Sequence, residues 1–221
     1  MMVERKFDEE LNELNSKLLK MAALAQESIF LSIEALKNRD KALADKIIDN
    51  DKVIDKLELE VDDYSTELLA RRQPLANDLR FITTGMKING ELERIADLAV
   101  NIAHKAIYLS DKPVLKPLID IPIFGQLAVK MVSHTIDSFI KRDAELAKEV
   151  IKMDSDANSL RNLIQKELVE DYISKDVNTL SRALSLFLVA QHLERICDHA
   201  KYIAEGVIYL VDAKVVKHSL G

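Results

Sequence analysis

The sequence predicts an all-α protein of two tandem, similar antiparallel three-helix bundles, six long helices in all, joined by a Pro-rich linker. Three observations lead to this prediction. Apolar residues recur every three or four positions over long stretches, only 5 Gly and 4 Pro interrupt the 221 residues, and the second half of the chain repeats the first. The spacing is typical of helices that pack with nearly parallel axes. The scarcity of Gly and Pro argues against a fold of many short strands.

The first half contains the patterns of three helices. The first helix shows an apolar stripe spaced four, three, four and three: Phe7, Leu11, Leu14, Leu18 and Met21. The second shows a heptad stripe: Leu43, Ile47, Ile54, Leu57, Val61, Tyr64 and Leu68. Asp40, in the turn 38–40, is expected to cap the second helix by accepting hydrogen bonds from its free N–H groups. Pro74 is expected at the first position of the third helix, where its missing N–H costs nothing.

A linker is predicted at residues 111–122, which leaves a first bundle at 1–110 and a second at 123–221. Three of the four prolines fall in this stretch, and proline disfavours helix at its own position and at the one before. Asp143 and Asp176 are the expected helix caps of the second half. Its last helix carries the longest apolar stripe: Leu186, Val189, Leu193, Ile196, Ala200, Ile203, Val207 and Leu210.

The two halves repeat one sequence pattern. Residues 91–109 and 192–210 are identical at 11 of 19 positions when they are aligned at an offset of 101. A weaker match joins the segment from Arg39 to Asp51 to the segment from Arg142 to Asp154, at an offset of 103. Self-similarity at this scale is the signature of a duplicated structural unit.

Composition excludes several classes of protein. A net charge of −6 argues against a dedicated nucleic-acid binder, which normally carries a basic stripe. A single cysteine excludes a disulfide framework and a cysteine-based zinc module. The longest apolar run, residues 186–190, is far shorter than the roughly 20 residues of a spanning helix. The first ten residues are too charged for a signal peptide, so a cytoplasmic location is expected.

Carboxylates are predicted to converge across the hairpin of the second and third helices. Glu93 and Asp97 are four residues apart, so they lie on one face of the third helix. If the hairpin turns near residue 73, Asp51 lies opposite residue 95 and Asp55 opposite residue 91. These four carboxylates therefore form the first candidate site.

The second half is predicted to repeat this arrangement. With a turn near residue 175, Asp154 faces residue 196 and Asn158 faces residue 192, which brings Asp154, Glu194 and Asp198 together as the second candidate site. His192 and His199 lie near enough in sequence to add nitrogen ligands, which would favour iron or zinc over magnesium.

Clustered carboxylates next to apolar rows need positive charge, and the sequence leaves two sources open. One is a metal bound by carboxylate oxygens, which suits Mg²⁺, Mn²⁺ or iron. The other is an interface of salt-bridged helices in which Arg94 and Arg195 supply the charge. The chain contains no Glu-x-x-His motif, no glycine loop for phosphate and no pattern of a catalytic triad. We therefore predict no enzymatic activity.

Three segments of the chain resemble the PhoU family of phosphate-transport regulators. Residues 92–103 and 193–204 are similar to its paired signature, and residues 71–80 are similar to its motif between the second and third helices. The resemblance covers essentially the whole chain. It departs from the family at Ala96 and Cys197, where glycine is frequent, and at Leu98, where histidine is frequent. Asn158 also interrupts the acidic pair of the fifth helix.

The resemblance implies a regulator that binds multinuclear metal clusters, of iron or zinc, through acidic motifs, with Mg²⁺ or Mn²⁺ as alternatives. The negative charge and the short apolar runs predict no nucleic-acid ligand and at most peripheral contact with the membrane. The resemblance also implies a homodimer. Its implied partners are the ATPase subunit of the phosphate ABC transporter and a sensor histidine kinase, through which it represses starvation signalling when phosphate is plentiful. The competing hypothesis is a metal-storage bundle or a metal-dependent catalytic bundle.

Overall fold

Six α-helices and no strand make up the part of the chain that the structure, a computed structural model, describes: residues 2–213, with side chains from residue 6 onward. Their bounds are α1 Met2–Asn38, α2 Lys41–Arg72, α3 Ala76–Ser110, α4 Asp120–Lys141, α5 Ala144–Glu167 and α6 Leu180–Asp212. Between α5 and α6 lie a π-helical segment, Leu168–Ile173, and a 3₁₀ turn, Val177–Thr179. The predicted fold class is confirmed.

Aspartate caps begin α2 and α5, as the sequence predicts, whereas Asp176 caps the 3₁₀ turn Val177–Thr179 and not α6. Oδ1 of Asp40 accepts a hydrogen bond from the backbone N of Leu43 at 2.9 Å, and Oδ1 of Asp143 accepts two from the first turn of α5. The residues before them, Arg39 and Arg142, adopt the left-handed conformation with φ of 58° and 51°. Each pair therefore ends one helix and starts the next within a two-residue turn.

The prediction for Pro74 is wrong. The helix α3 begins at Ala76, so Pro74 lies in the turn between α2 and α3 rather than at the first helical position. Gln73 ends α2 in the left-handed conformation, with φ 47°. Proline disfavours the helical conformation in the residue before it, so the chain cannot continue as a helix through Gln73.

The linker between the two halves is shorter than predicted. The helix α4 begins at Asp120, so Pro122 lies in its first turn and not in the linker. A first-turn residue has no intrahelical partner for its N–H, which is why proline is accepted there. The Arg39 side chain holds the start of the linker against the first half. It donates hydrogen bonds to the carbonyl oxygens of Leu109 and Ser110 at the end of α3, at 2.9 and 2.6 Å, and to that of Lys112 in the linker.

The two halves share one hydrophobic core. Helix α3 packs against α6, and α1 packs against α4, in addition to the contacts within each half. Phe81 of α3 stacks on Phe139 of α4, with ring centroids 5.0 Å apart. Gly125 of α4 lies so close to Ile33 of α1 that an added Cβ would come within 2.8 Å of the Ile33 Cγ1 atom. All eight residues of the predicted α6 stripe are buried in this core.

Candidate metal centre

Four acidic residues form a ladder along one face of α2. Asp51, Asp55, Glu58 and Asp62 follow a spacing of four, three and four, which keeps them in line on a helix. The neighbouring face of α2 is buried against the core through Ile54, Leu57 and Val61. Burial of that face fixes the rotation of the helix, so the ladder is held at the edge of the contact with α3.

The four carboxylates predicted for the first half come together, in a register about two residues away from the predicted one. Asp51 is close enough to Asp97 to be repelled by it, and Glu93 is repelled in the same way by Asp55. The sequence placed residues 95 and 91 opposite Asp51 and Asp55. The difference arises because the turn occupies residues 73–75, with α3 starting later than Pro74 suggests.

The pKa values of these carboxyls show that their negative charge is poorly compensated. Burial, followed by repulsion from Asp55 and Asp97, raises the pKa of Asp51 to about 6. Burial, followed by repulsion from Asp97 and Glu58, raises the pKa of Glu93. The pKa of Glu58 is also raised, first by burial and then by Asp62 and Asp55. Desolvation and like charge both oppose ionisation, so a cation placed here would relieve both.

Asn89 joins α3 to the lower part of the ladder. Its buried side-chain nitrogen Nδ2 donates hydrogen bonds to the Glu58 carbonyl oxygen at 2.9 Å and to Oδ1 of Asp62 at 3.0 Å. Its Oδ1 atom is buried without a hydrogen-bond partner. The amide therefore fixes the level at which α2 and α3 meet, next to Glu58.

The motif arginines do not neutralise either cluster by direct pairing. Arg94 and Arg195 are both exposed, and neither forms an ion pair within the described part of the chain. Arg94 is near enough to lower the pKa of Glu93 and of Glu58, but burial and like charge dominate at both. The alternative prediction, a salt-bridged interface in which Arg94 and Arg195 pair with the carboxylates, is therefore wrong about which residues supply the positive charge.

The second half brings Asp154, Glu194 and Asp198 together with two cations. Nη1 of Arg161 donates a hydrogen bond to Oε1 of Glu194, and Nζ of Lys201 donates one to Oδ2 of Asp154 at 2.8 Å. The exposed fractions of the Asp154 and Glu194 side chains are both 15%. The register again differs from the prediction, because Asp154 reaches Lys201 instead of residue 196. The π-helical segment and the 3₁₀ turn move the start of α6 along the chain.

The histidines named as nitrogen ligands lie elsewhere. His199 Nδ1 contacts Oε2 of Glu91 at 2.5 Å, which joins α6 to α3 across the two halves. His192 is partly buried, and burial, followed by repulsion from Lys105 and Arg195, lowers its pKa. Cys197 is buried as expected, and burial raises the pKa of its thiol, so it is not a reactive nucleophile.

The donor sets of the two halves differ in their fit to a metal. Within residues 6–213, no three His, Cys, Asp or Glu side chains already stand close enough to hold a metal ion. The first half offers carboxylates alone, which are the ligands of hard cations, and Asp55 and Asp97 among them are exposed to solvent. Its chemistry fits a metal. In the second half, Arg161 pairs with Glu194 and Lys201 pairs with Asp154, so two carboxylates already have a cation beside them. The Oδ1 atom of Asp154 is buried without a hydrogen-bond partner.

Sequence reasoning missed four residues that shape these clusters: Glu58, Asp62, Arg161 and Lys201. The spacing of four, three and four after Asp51 is the signal that could have found Glu58 and Asp62. Extension of the 103-residue offset past Asp154 would have placed Arg161 at the position of Glu58. Lys201 lies in the repeated motif, but the direction of its long side chain decides which acid it pairs with, and only the structure shows that direction.

Comparison with known proteins shows the same duplication of the chain. The family profile described as "PhoU domain" matches residues 18–106 and again residues 121–207. A relative from Aquifex aeolicus named "Phosphate-specific transport system accessory protein PhoU homolog" is 40% identical over 213 residues, which cover 96% of each chain. The relative of the same name from Zymomonas mobilis is 35% identical, over 94% of this chain and 87% of its own.

Two crystal structures have the same fold. PhoU from Pseudomonas aeruginosa matches with a TM-score of 0.90 and 35% identity, over 94% of this chain and all of its own. The phosphate transport system regulatory protein PhoU from Streptococcus pneumoniae matches with a TM-score of 0.88 and 25% identity, over 95% and 99% of the two chains. Within the described residues, no helix is both long and apolar enough to cross a membrane.

Proposed function

The chain belongs to the PhoU family, and on that premise we propose that it is a non-enzymatic, metal-binding regulator of phosphate uptake and of phosphate-starvation signalling. The observation that carries the regulatory role is the match along 96% of the chain to a relative named as an accessory protein of a phosphate-specific transport system. The S. pneumoniae relative is titled a regulatory protein of that system. Neither description is that of an enzyme.

The proposed role is that of an adaptor between the phosphate ABC transporter and a sensor histidine kinase. In this role the protein acts in the cytoplasm, as a homodimer, and holds signalling off when phosphate is plentiful. Its negative charge and its exposed helix faces suit protein partners, and we propose no nucleic-acid ligand. Contact with the membrane is at most peripheral, through the transporter.

The proposed metal lies in the first half, between α2 and α3. Asp51, Asp55, Glu93 and Asp97 would hold it, with Glu58 at the lower edge of the cluster. A bound metal supplies positive charge at the point where two helices present only carboxylates to each other. Hard cations such as Mg²⁺, Mn²⁺ or iron suit this oxygen donor set better than zinc, which prefers nitrogen and sulfur.

What the metal would do follows from the electrostatics of the hairpin. Repulsion among the five carboxylates opposes the close approach of α2 and α3 at this edge, and burial adds to the cost of their charge. Neutralisation would remove this repulsion and hold the two helices at one spacing. Metal content would therefore set the shape of the helix face that a partner meets, without any chemical step.

The metal proposal is tested by elemental analysis of the purified protein after incubation with Mn²⁺ and removal of the free ion. We expect bound metal in the wild type and its loss in Glu93→Ala/Asp97→Ala, with circular dichroism showing that both remain helical. A wild type without metal, or a variant with an equal metal-to-protein ratio, would contradict the proposal.

The regulatory proposal is tested in the source organism by deletion of the gene. We expect the deletion to raise phosphate accumulation and the expression of starvation genes under ample phosphate, and the wild-type gene to restore both. Co-purification with the ATPase subunit of the transporter is the matching biochemical test. A deletion that leaves both quantities unchanged would exclude a negative regulatory role.

A further inference from the structure

We infer that only the N-terminal half of this chain is metal-responsive, because Arg161 and Lys201 act as resident counter-ions at the equivalent site of the C-terminal half. The inference rests on the proposed metal binding, which it restricts to one half. It departs from the prediction, drawn from the sequence, of a second metal site at Asp154, Glu194 and Asp198. Three substitutions between the two copies carry it.

The first substitution replaces an acid with a base. At the 103-residue offset, Arg161 of α5 stands where α2 has Glu58. Val61 and Ile164 are equivalent at the same offset and are both buried, so the register continues through this position. In the first half Glu58 repels Glu93, whereas in the second half Arg161 pairs with Glu194. One contact between equivalent positions has thus changed from repulsion to attraction.

The second substitution adds a cation. At the 101-residue offset, Lys201 of α6 stands where α3 has Val100. Its Nζ atom lies 2.8 Å from Oδ2 of Asp154, the equivalent of Asp51. The exposed fraction of the lysine side chain is 29% and that of Asp154 is 15%, so the pair is partly shielded from water. The ammonium group thus occupies space next to the carboxylate oxygen that a metal would need.

The third substitution removes a carboxylate. Asn158 stands where α2 has Asp55. Its Nδ2 atom donates hydrogen bonds to the backbone oxygen of Asp154 at 3.0 Å and to Oδ2 of Asp154 at 3.3 Å. Oδ2 of Asp154 therefore accepts hydrogen bonds from both Lys201 and Asn158.

These contacts place a cation on two of the three carboxylates of the second cluster and leave Asp198 without an ion pair among the described residues. Mg²⁺ and Ca²⁺ need six or more oxygen ligands, and even with several waters they are held by free carboxylate oxygens. Oδ1 of Asp154 is buried without a partner, but its second oxygen and Oε1 of Glu194 already accept from cations. A divalent ion would have to displace two partly buried ion pairs and remain near both positive charges. In the first half, none of the five carboxylates forms an ion pair with a described residue.

The experiment measures Mn²⁺ bound to the full-length chain, by equilibrium dialysis at neutral pH with elemental analysis. We expect Glu93→Ala/Asp97→Ala to lose all of the bound Mn²⁺ and Glu194→Ala/Asp198→Ala to retain the wild-type ratio. Mn²⁺ that persists in the first variant and disappears when Glu194→Ala/Asp198→Ala is added to it would overturn the inference, while the proposal of metal binding would stand.

A transplant of charges provides the reverse test. Asn158→Asp/Arg161→Glu/Lys201→Val gives the second half the residues of the first, and on the Glu93→Ala/Asp97→Ala background we expect it to restore Mn²⁺ binding, with an affinity at least about tenfold above that background. If the transplant does not fold, Arg161→Gln/Lys201→Met removes the two cations alone and should restore weaker binding. A folded transplant without Mn²⁺ overturns the inference, even where the wild type itself binds none.

Discussion

At equivalent points of their hairpins, the N-terminal half has Glu58 and Val100 where the C-terminal half has Arg161 and Lys201. Both halves keep the acidic motif of their last helix, and both place it against an aspartate of the preceding helix. None of the first-half carboxylates forms an ion pair with a described residue, whereas in the second half Lys201 pairs with Asp154 and Arg161 with Glu194. Burial and repulsion still raise the pKa of Glu194 and of Asp198, so the second cluster is compensated in part. A duplicated motif can therefore keep its acidic residues while the charge around them changes, through Lys201 within the repeated segment and Arg161 outside it.

The difference also concerns what each hairpin needs in order to be stable. The α5–α6 hairpin carries an arginine and a lysine on two of its three clustered carboxylates, so less of its negative charge is left for protons or a metal to neutralise. The carboxylates of the α2–α3 hairpin form no ion pair with a described residue, so protons, or the proposed metal, would be needed to neutralise them. Helix α3 packs against α6, so a change at the α2–α3 hairpin would be met by the α5–α6 hairpin.

The largest expected effect is the loss of an ion pair in the second half. Asp154→Asn leaves Lys201 partly buried without its partner, and we expect it to lower the free energy of unfolding by about 1–3 kcal/mol. Urea denaturation in EDTA at neutral pH measures this change. Removal of one partner costs more than the pair contributes, because the remaining charge stays desolvated.

The equivalent change in the first half should have the opposite sign. In EDTA near pH 7, Asp51→Asn removes a repelled charge, and solvent screening limits the expected gain in stability to about 1 kcal/mol. In excess Mn²⁺ the same variant should be less stable than the wild type, because a ligand is lost. Equal destabilisation by Asp51→Asn and Asp154→Asn in EDTA would contradict the contrast between the two halves.

The advantage of Asp51→Asn should also depend on pH in a defined direction. The folded pKa of Asp51, about 6, lies above the ordinary value of 3.8, so its protonation favours the folded state. That stabilisation is complete below the ordinary value and is lost as the pH rises through about 6. The stability of the variant relative to the wild type should therefore increase between pH 5 and pH 7.5. Melting temperatures of both proteins in EDTA across this range test it, and an unchanged difference would exclude Asp51 as the source.

The smallest expected effect is that of a change in the first half without charge. An added Cβ at Gly90 of α3 meets nothing within 4 Å, so Gly90→Ala should raise the free energy of unfolding by about 0.5–1 kcal/mol through helix propensity alone. This gain should be the same with Mn²⁺ and with EDTA, at all pH values. A gain that varied with metal would indicate that α3 responds through its backbone and not through its carboxylates.

Much of the fold follows from local chemistry that is visible in the sequence. Asp40 and Asp143 cap helices because their side chains satisfy free N–H groups, and this needs no distant partner. The α6 stripe is buried because its spacing leaves one face for the core. The register of the hairpins did not follow in the same way. It depends on where Gln73 ends α2 and on the π-helical segment after α5, which add residues that no periodic pattern predicts.

The members of the first cluster could be predicted because helical spacing and one hairpin suffice to bring Asp51, Asp55, Glu93 and Asp97 together. The partners in the second half could not. Lys201 lies within the repeated motif, where identity with the first half draws attention to the shared acids, and its reach to Asp154 depends on a shift along α6. Arg161 lies outside the motif. The partner of a long side chain depends on the three-dimensional structure. Arg94 and Arg195 are equally plausible partners by their place in the sequence, yet neither forms an ion pair with a described residue of the two clusters.

The most direct test of the difference between the halves is anomalous diffraction from crystals of the full chain grown or soaked with Mn²⁺. The electrostatic contrast predicts an anomalous peak between α2 and α3, beside Asp51 and Asp97. It predicts no peak between α5 and α6, where Nζ of Lys201 should remain bound to Asp154. A peak beside Asp154 and Asp198, with Lys201 and Arg161 turned away, would contradict it.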